Sequence, residues 1–225
     1  MNLLAIETAS EAVSVALSMN GEVMERYRHA PRKHAELLLP WVGELLAEAG
    51  IGFNALDAIA YSRGPGSFTS LRIGIGVVQG LAWASDRPVI PVSSLAATAQ
   101  TAAGEGMDSV LVALDARMNE VFTCTFEANG DGIMLPVSEE RVCGPQDVQL
   151  VTSSETIGIG IGFDRYGVLD KLSEQLTGIR PDIWPKASSV LTLATDWLLG
   201  HDALPAEMAQ PVYLRDNVAK KKKDQ

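Results

Sequence analysis

The sequence predicts an α/β protein in two lobes, each a mixed β-sheet flanked by helices, and three observations carry that expectation. One is a pattern that occurs twice. "LLAIETASEAVSVALSMNG" from Leu3 and "VLVALDARMNEVFTCTFEANG" from Val110 each read as an apolar strand, an acidic residue, a turn, an alternating second strand and a Gly turn. Sliding the first by 108 positions lays Glu7 on Asp115, Val13 on Val121 and Leu17 on Thr125, and brings Asn20-Gly21 within one residue of Asn129-Gly130. That offset is close to half of the 225 residues, as an internal duplication requires. Another is the order of elements, an antiparallel start followed by strand-helix crossovers, which builds a mixed sheet with helices outside. The last is composition: 47% hydrophobic and 20% charged residues suit a globular chain with one large domain or two small ones.

In the first half, residues 1–104, the opening hairpin is followed by a third strand near Arg26 to Ala30 and then by "RKHAELLLPWVGELLAEAG". Its Leu37, Leu38, Trp41, Val42, Leu45, Leu46 and Ala49 fall on one helical face, and Gly50 closes the helix. Pro40 lies inside and lacks the N–H for an i−4 bond, so the helix is expected to start late or to kink there. "ALDAIAYSRG" reads as a buried strand, the Gly-rich stretch after it as a turn running into a helix, and "RPVIPVSSLAATAQ" as a further strand-helix step. The second half, residues 105–225, has strands near Ser109 to Phe126 and Ile133 to Val137, and a strand "ETIGIGIG" ending in glycines. Its C-terminal helix spans Ala187 to Gly200 with Val190, Leu191, Ala194, Trp197 and Leu198 on one face, and a Lys-rich tail, expected to be mobile, follows. Two tandem units that each run β-β-β-α-β-α are the pattern of the duplicated actin-like ATPase fold, of the ASKHA, RNase H-like kind.

Charge narrows the partners. The formal net charge is −10, and four of the positive charges are Lys220 to Lys223, so the body is more acidic still. Such a surface repels phosphate backbones, and a role in a nucleic-acid process is expected to run through a partner that supplies the basic surface. The tail is a solvated end or a short RNA contact. No apolar run approaches the roughly 20 residues of a membrane helix, and "MNLLAIETAS" lacks a basic n-region, so a cytoplasmic protein is expected. Cys124 and Cys143 have no CxxC spacing and read as reduced thiols.

The Gly-rich stretch "RGPGSFTSLRIGIGVVQGLAWA" raises two chemistries. It has no Lys after a second Gly, as a Walker A loop needs, and Gly74, Gly76 and Gly80 are spaced GxGxxxG within a helix, not GxGxxG at a strand-to-helix turn. The turn itself, Gly64-Pro65-Gly66 with Ser67, is either a plain connection or a weak anion site at the helix start, with Ser67, Thr69 or Ser70 as cap and Arg72 close behind. Within the helix, Gly76, Gly80 and Ala84 recur every four residues. Each mid-helix Gly costs about 0.5–1 kcal/mol against Ala, so the ridge needs a packing reason: the chain's own sheet, or a helix of a second subunit.

An actin-like ATPase ends its first strand in an Asp-Gly-Thr type turn; here the turns are Glu7-Thr8-Ala9-Ser10 and Asp115-Ala116-Arg117, without Gly. "GIGIG" at Gly158 to Gly162 is the relic of an adenosine loop or a tightly packed strand edge. His29, His34 and His201 include no pair at metal-ligand spacing, and His34, near a helix start, is expected to be solvated or capping.

"AIETAS", "HAELLLP", "GPGSFTSLRIGIGVVQGLA", "PVSSLAA", "ALDARMNEVF" and "QPVYLRD", in this order and spacing, closely resemble the TsaB (YeaZ) family across essentially the whole chain. The resemblance implies an actin-like fold in two lobes and a non-catalytic subunit that binds and supports the TsaD enzyme in tRNA threonylcarbamoyladenosine synthesis, with TsaE as third component. No cofactor is expected on this chain, ATP and metal are expected on TsaD, tRNA is met through the complex, and no membrane is involved. The surface the family uses lies on the two helices matching Lys33 to Ala49 and Ser70 to Ala84, here His34, Leu38, Trp41, Leu45, Arg72, Gly76, Gly80 and Ala84, and isolated members tend to pair with themselves through a similar surface. The family commonly has Asp where this chain has Glu7. Two other functions compete: a stand-alone actin-fold ATPase or kinase relative, and an M22-type metalloprotease-like protein, for which the paired His is missing.

Overall fold

The computed structural model describes residues 1–215, so Lys220 to Lys223 and the expectation attached to them lie outside the described residues. The first sheet has the order β3-β2-β1-β4-β5, from β1 (Leu3–Glu7), β2 (Ala12–Met19), β3 (Glu22–His29), β4 (Ala58–Gly64) and β5 (Val89–Ser93). β1 pairs antiparallel with β2 and parallel with β4, so Leu3 faces both Ser18 and Ala58. The second sheet repeats this plan in β6 (Ser109–Arg117), β7 (Glu120–Ala128), β8 (Met134–Pro136), β9 (Arg141–Cys143), β10 (Ile157–Ile159) and β11 (Gly178–Arg180), with order β11-β10-β6-β7-β8 and β9 also on β7. The duplicated actin-like plan is thus explicit in the strand order.

The duplication slips by one residue at the first turn. Glu7 faces Ser14, whereas Asp115 faces Val121, because the β6–β7 hairpin carries an irregular register between Asp115 and Arg117. The 108-residue offset is therefore right for the first strand of each hairpin and one too long for the second.

Alternation decides which side chains each face buries. On one face of the first sheet, Leu4, Ile6, Val13, Val15 and Leu17 pack with α1 (His34–Glu48) and α2 (Phe68–Ser85). α1 starts at His34 and continues through Pro40; Pro40 and Glu36, whose carbonyl loses its partner, both lie on the solvent side. On the other face, Leu3, Ala5, Ala16, Ala58 and Ala60 pack with Ala187, Val190, Leu191 and Ala194 of α6 (Ala187–Trp197). Small residues on both sides let this helix lie close to the strands. Glu25 of β3 fixes its start, accepting hydrogen bonds from the Ser188 N–H and hydroxyl at 2.9 Å each.

The second sheet is covered on one face by α3 (Ser94–Ala103), whose Leu95, Ala99 and Ala102 pack with Val110, Val112, Cys124 and Phe126. Short helices α4 (Gly162–Arg165) and α5 (Asp170–Ser173) lie over the other. The sheets thus fall on either side of residue 104, but the helices do not. α3 belongs by sequence to the first half and covers the second sheet, and the C-terminal helix α6 covers the first. Linear position misplaces α6 because an amphipathic stripe does not say which sheet it will meet.

After α6 the chain stays on the first lobe: Leu204 bridges Val89, the Gln79 Nε2 donates to the Ala209 carbonyl at 2.8 Å, and the Val212 N–H to the Arg63 carbonyl at 2.8 Å. It then crosses to the second lobe, where Arg215 donates to the Ala116 carbonyl at 3.2 Å and pairs with Glu120.

Candidate functional site

α1 and α2 each turn one side to the sheet and one to solvent. His34, Leu38, Trp41 and Leu45, expected on a docking surface, are all buried in the lobe's own core, at 2%, 0%, 8% and 0% exposure. Their spacing makes the stripe with the largest apolar side chains, and the sheet claims it. With the proton on Nε2, the His34 imidazole donates to the Ser10 and Ala12 carbonyls, both at 3.1 Å, tying the start of α1 to the β1–β2 turn rather than facing water. The solvent ridge of α1 lies one residue on, at Ala35, Leu39, Gly43 and Ala47, all exposed. Sequence reasoning found the helix and the wrong side of it; four small or apolar residues at i+4 between the glutamates were the signal.

On α2 the exposed ridge is Phe68, Arg72, Gly76, Gly80 and Ala84, again at i+4. A Cβ added at Gly76, Gly80 or Gly43 meets nothing within 4 Å, so these glycines are not demanded by the chain's own packing. Gly74 is the contrast: it is buried, and a Cβ there would run into the Thr8 side chain. Trp83, 71% exposed, and Leu39, 53% exposed, stand as large apolar side chains on these two helices. At the other end of the α2 ridge, the Arg72 guanidinium lies 3.4 Å from the Phe68 ring centroid and 5.7 Å from that of Tyr213.

The turn into α2 is held by close approach. Gly64 has φ +98°, open to glycine and strained for other residues, and a Cβ at Gly66 would run into the Ala9 carbonyl. The Ser67 N–H donates to that same carbonyl at 2.8 Å. Ser67 caps α2 by position, but its hydroxyl meets the Ser70 hydroxyl at 3.0 Å and makes no cap bond. Gly64, Gly66 and Ser67 therefore seat the turn on the β1–β2 connection, and the donors an anion would find are the first N–H groups of α2 itself.

Between the lobes lies a cleft of about 360 Å³, with an apolar wall that includes Pro65, Phe68, Leu114, Phe122, Trp184 and Tyr213. Its charges are paired across the gap: Glu11 of the first lobe meets Arg117 at 3.4 Å and Arg165 at 3.1 Å. Asp115 pairs with Arg165 and with Arg117, and accepts the Tyr166 hydroxyl at 2.7 Å. Burial first, and the Asp115 hydrogen bond second, push the Tyr166 phenol up to about 12. Glu7 is fully buried; its Oε1 accepts the Ala9 N–H at 2.5 Å, and its Oε2 has no partner among the described residues. Burial, only partly offset by the Ala9 hydrogen bond, raises its carboxyl to about 7. Gly158, Gly160 and Gly162 press on Phe163 and on the Ala113 carbonyl, which is the tightly packed strand edge of the two alternatives. Among the described residues no three His, Cys, Asp or Glu side chains are arranged to hold a metal ion, and no helix is long and apolar enough to cross a membrane.

The family model described as TsaD, tRNA N6-adenosine threonylcarbamoyltransferase, matches residues 26–159. The tRNA threonylcarbamoyladenosine biosynthesis protein TsaB of Escherichia coli is 39% identical over 99% of this chain and 98% of its own length. That of Haemophilus influenzae is 38% identical over 99% and 97%. Among solved structures, YeaZ from Pseudomonas aeruginosa superposes with a TM-score of 0.87 at 41% identity, over 95% of this chain and 99% of that one. With the same strand plan, the family blocks and near full-length similarity together, the chain belongs to the TsaB (YeaZ) family.

Proposed function

We propose that the chain is a non-catalytic subunit that binds and activates TsaD in the complex forming N6-threonylcarbamoyladenosine next to the anticodon of tRNA. The observation that carries this reading is the solvent ridge of α2: Gly76 and Gly80 weaken a helix without any packing need inside the chain. A helix of a second subunit, lying close along that ridge, supplies the missing need. TsaE completes the assembly, ATP and metal belong to TsaD, and tRNA is met through the complex, consistent with an acidic body that repels phosphate. Without TsaD, the same face pairs two copies of this chain. The stand-alone ATPase or kinase alternative is less well supported, because Asp115 is tied to two arginines and a tyrosine and Glu7 is sealed under the β1–β2 turn.

The test is reconstitution. The chain is mixed with TsaD, TsaE, tRNA and threonylcarbamoyl-AMP, and tRNA modification that proceeds equally well without it overturns the proposal. Gly80→Leu, which puts bulk on the ridge, is expected to weaken TsaD binding by about tenfold or more while the isolated chain melts as before.

A further inference from the structure

We propose that Arg72 is the charge anchor of the α2 face: it takes a carboxylate of the docked subunit, and so sets where along the Gly76–Gly80–Ala84 ridge that subunit comes to rest. The inference rests on the proposed docking function and names the chemistry of the partner at one end of the face.

Arg72 is exposed, and among the described residues it makes no ion pair and no hydrogen bond. Arg26, Arg63, Arg117, Arg165, Arg180 and Arg215 all hold carboxylates, in a chain where Asp and Glu number 28 against 18 Lys and Arg; Arg72, like Arg28 and Arg32, does not, and what sets it apart is its aromatic seat. Its freedom is not looseness. The guanidinium lies over the Phe68 ring, one helical turn back, and near Tyr213, while the two rings stand 5.6 Å apart at 32°. Tyr213 reaches that place because the C-terminal segment is bonded to the first lobe at Val212. Stacking on aromatic faces restrains an arginine and leaves its five N–H donors, set in a planar fork, directed outward. A restrained fork loses less conformational entropy on binding than a free one, and a carboxylate or a phosphate matches its geometry.

Position selects between those two anions. Arg72 is the second member of the i+4 row Phe68, Arg72, Gly76, Gly80, Ala84, so a helix lying on the small residues passes directly beside it. The fork would then meet a side chain of that same helix. A phosphate of tRNA would instead have to approach a body with a strong negative charge, on a face occupied by the partner.

The experiment measures the dissociation constant for TsaD by calorimetry at low and high salt for the wild type, Arg72→Ala, Arg72→Lys and Gly80→Leu. Arg28→Ala, another exposed arginine without an ion pair, on β3, serves as the control for general charge. Arg72→Ala is expected to weaken binding about 30-fold and to flatten its salt dependence, Arg72→Lys to lose part of that through the broken fork, and Arg28→Ala to change nothing. Pairing Arg72→Glu with a Glu→Arg or Asp→Arg change on TsaD should restore affinity and identify the carboxylate. Wild-type affinity for Arg72→Ala together with weakened binding of Gly80→Leu overturns the anchor and leaves the docking face standing. Wild-type affinity for both removes the face and the anchor together. An Arg72→Ala variant that binds TsaD normally but cross-links less to tRNA overturns the carboxylate in favour of phosphate.

Discussion

Glu7 and Asp115 end the first strands of the two lobes, at matching places in the duplicated plan, and they have opposite surroundings. Glu7 is sealed beneath a turn with one oxygen unpartnered and its carboxyl raised to about 7. Asp115 borders the cleft and is held by Arg165, Arg117 and Tyr166. The difference follows from what covers each strand end. In the first lobe, the acid lies under the β1–β2 turn, whose Ala9 carbonyl is in turn covered by Gly66 and Ser67 of the β4–α2 turn. In the second, the β6–β7 turn stands open, with Arg117, Met118 and Asn119 all at positive φ, and the arginines come to the acid from the surface. One duplicated acidic position has become a packing problem in one lobe and a lobe-to-lobe tie in the other.

The largest test of that contrast is Glu7→Gln. The folded-state carboxyl is raised above its unfolded value of about 4.5, so the folded protein binds the extra proton between about pH 4.5 and 7. Stability from this group is therefore full below pH 4.5, is lost as pH rises to about 7, and stays lost above. Denaturant titrations at pH 4.5 and 8 should show the wild type losing about 3 kcal/mol more than Glu7→Gln over that interval. Equal slopes would mean that Glu7 is not a sealed acid.

Asp115→Asn probes the other member. It leaves Arg165 and Arg117 with Glu11 as their shared carboxylate and is expected to cost about 2 kcal/mol in chemical denaturation, discounted for the exposure of Arg117. It should also bring the Tyr166 phenol down, which ultraviolet titration reads directly. An unmoved phenol would break the assignment of the Asp115 hydrogen bond.

The smallest effects separate the glycines of α2. Gly74→Ala gains about 1 kcal/mol in helix propensity but must displace Thr8, for a net loss of about 1 kcal/mol. Gly80→Ala meets nothing and should stabilise the isolated chain by about 0.5–1 kcal/mol. Melting curves that shift the same way for both would remove the distinction between a glycine required inside the chain and one required outside it.

Much of the fold was legible because strand alternation and the i+4 rows are local. The hairpin pattern from Leu3 and its return at Val110 marked both sheets, and Gly50 and the Gly64–Gly66 turn marked the ends of their neighbours. What failed was non-local. The largest stripe of α1 looked available until β1, β2 and β4 were in place to cover Leu38, Trp41 and Leu45. The sequence reads His34 as solvated or capping because nothing nearby in it shows the Ser10 and Ala12 carbonyls waiting for it. The setting of Arg72 was hidden for the same reason: Phe68 is four residues away, but Tyr213 arrives from the far end of the described chain.

The crossing of α3 and α6 bears on how the chain is made. Leu3 and Ala5 leave the ribosome well before the side chains that cover them, Ala187, Val190 and Leu191. At about 5–20 residues per second, the inner face of the first sheet waits many seconds for its cover. During synthesis that face is the apolar surface a chaperone would meet, and a ribosome stalled after α3 would hold a nascent chain with one half of its first core already shut and the other still wet.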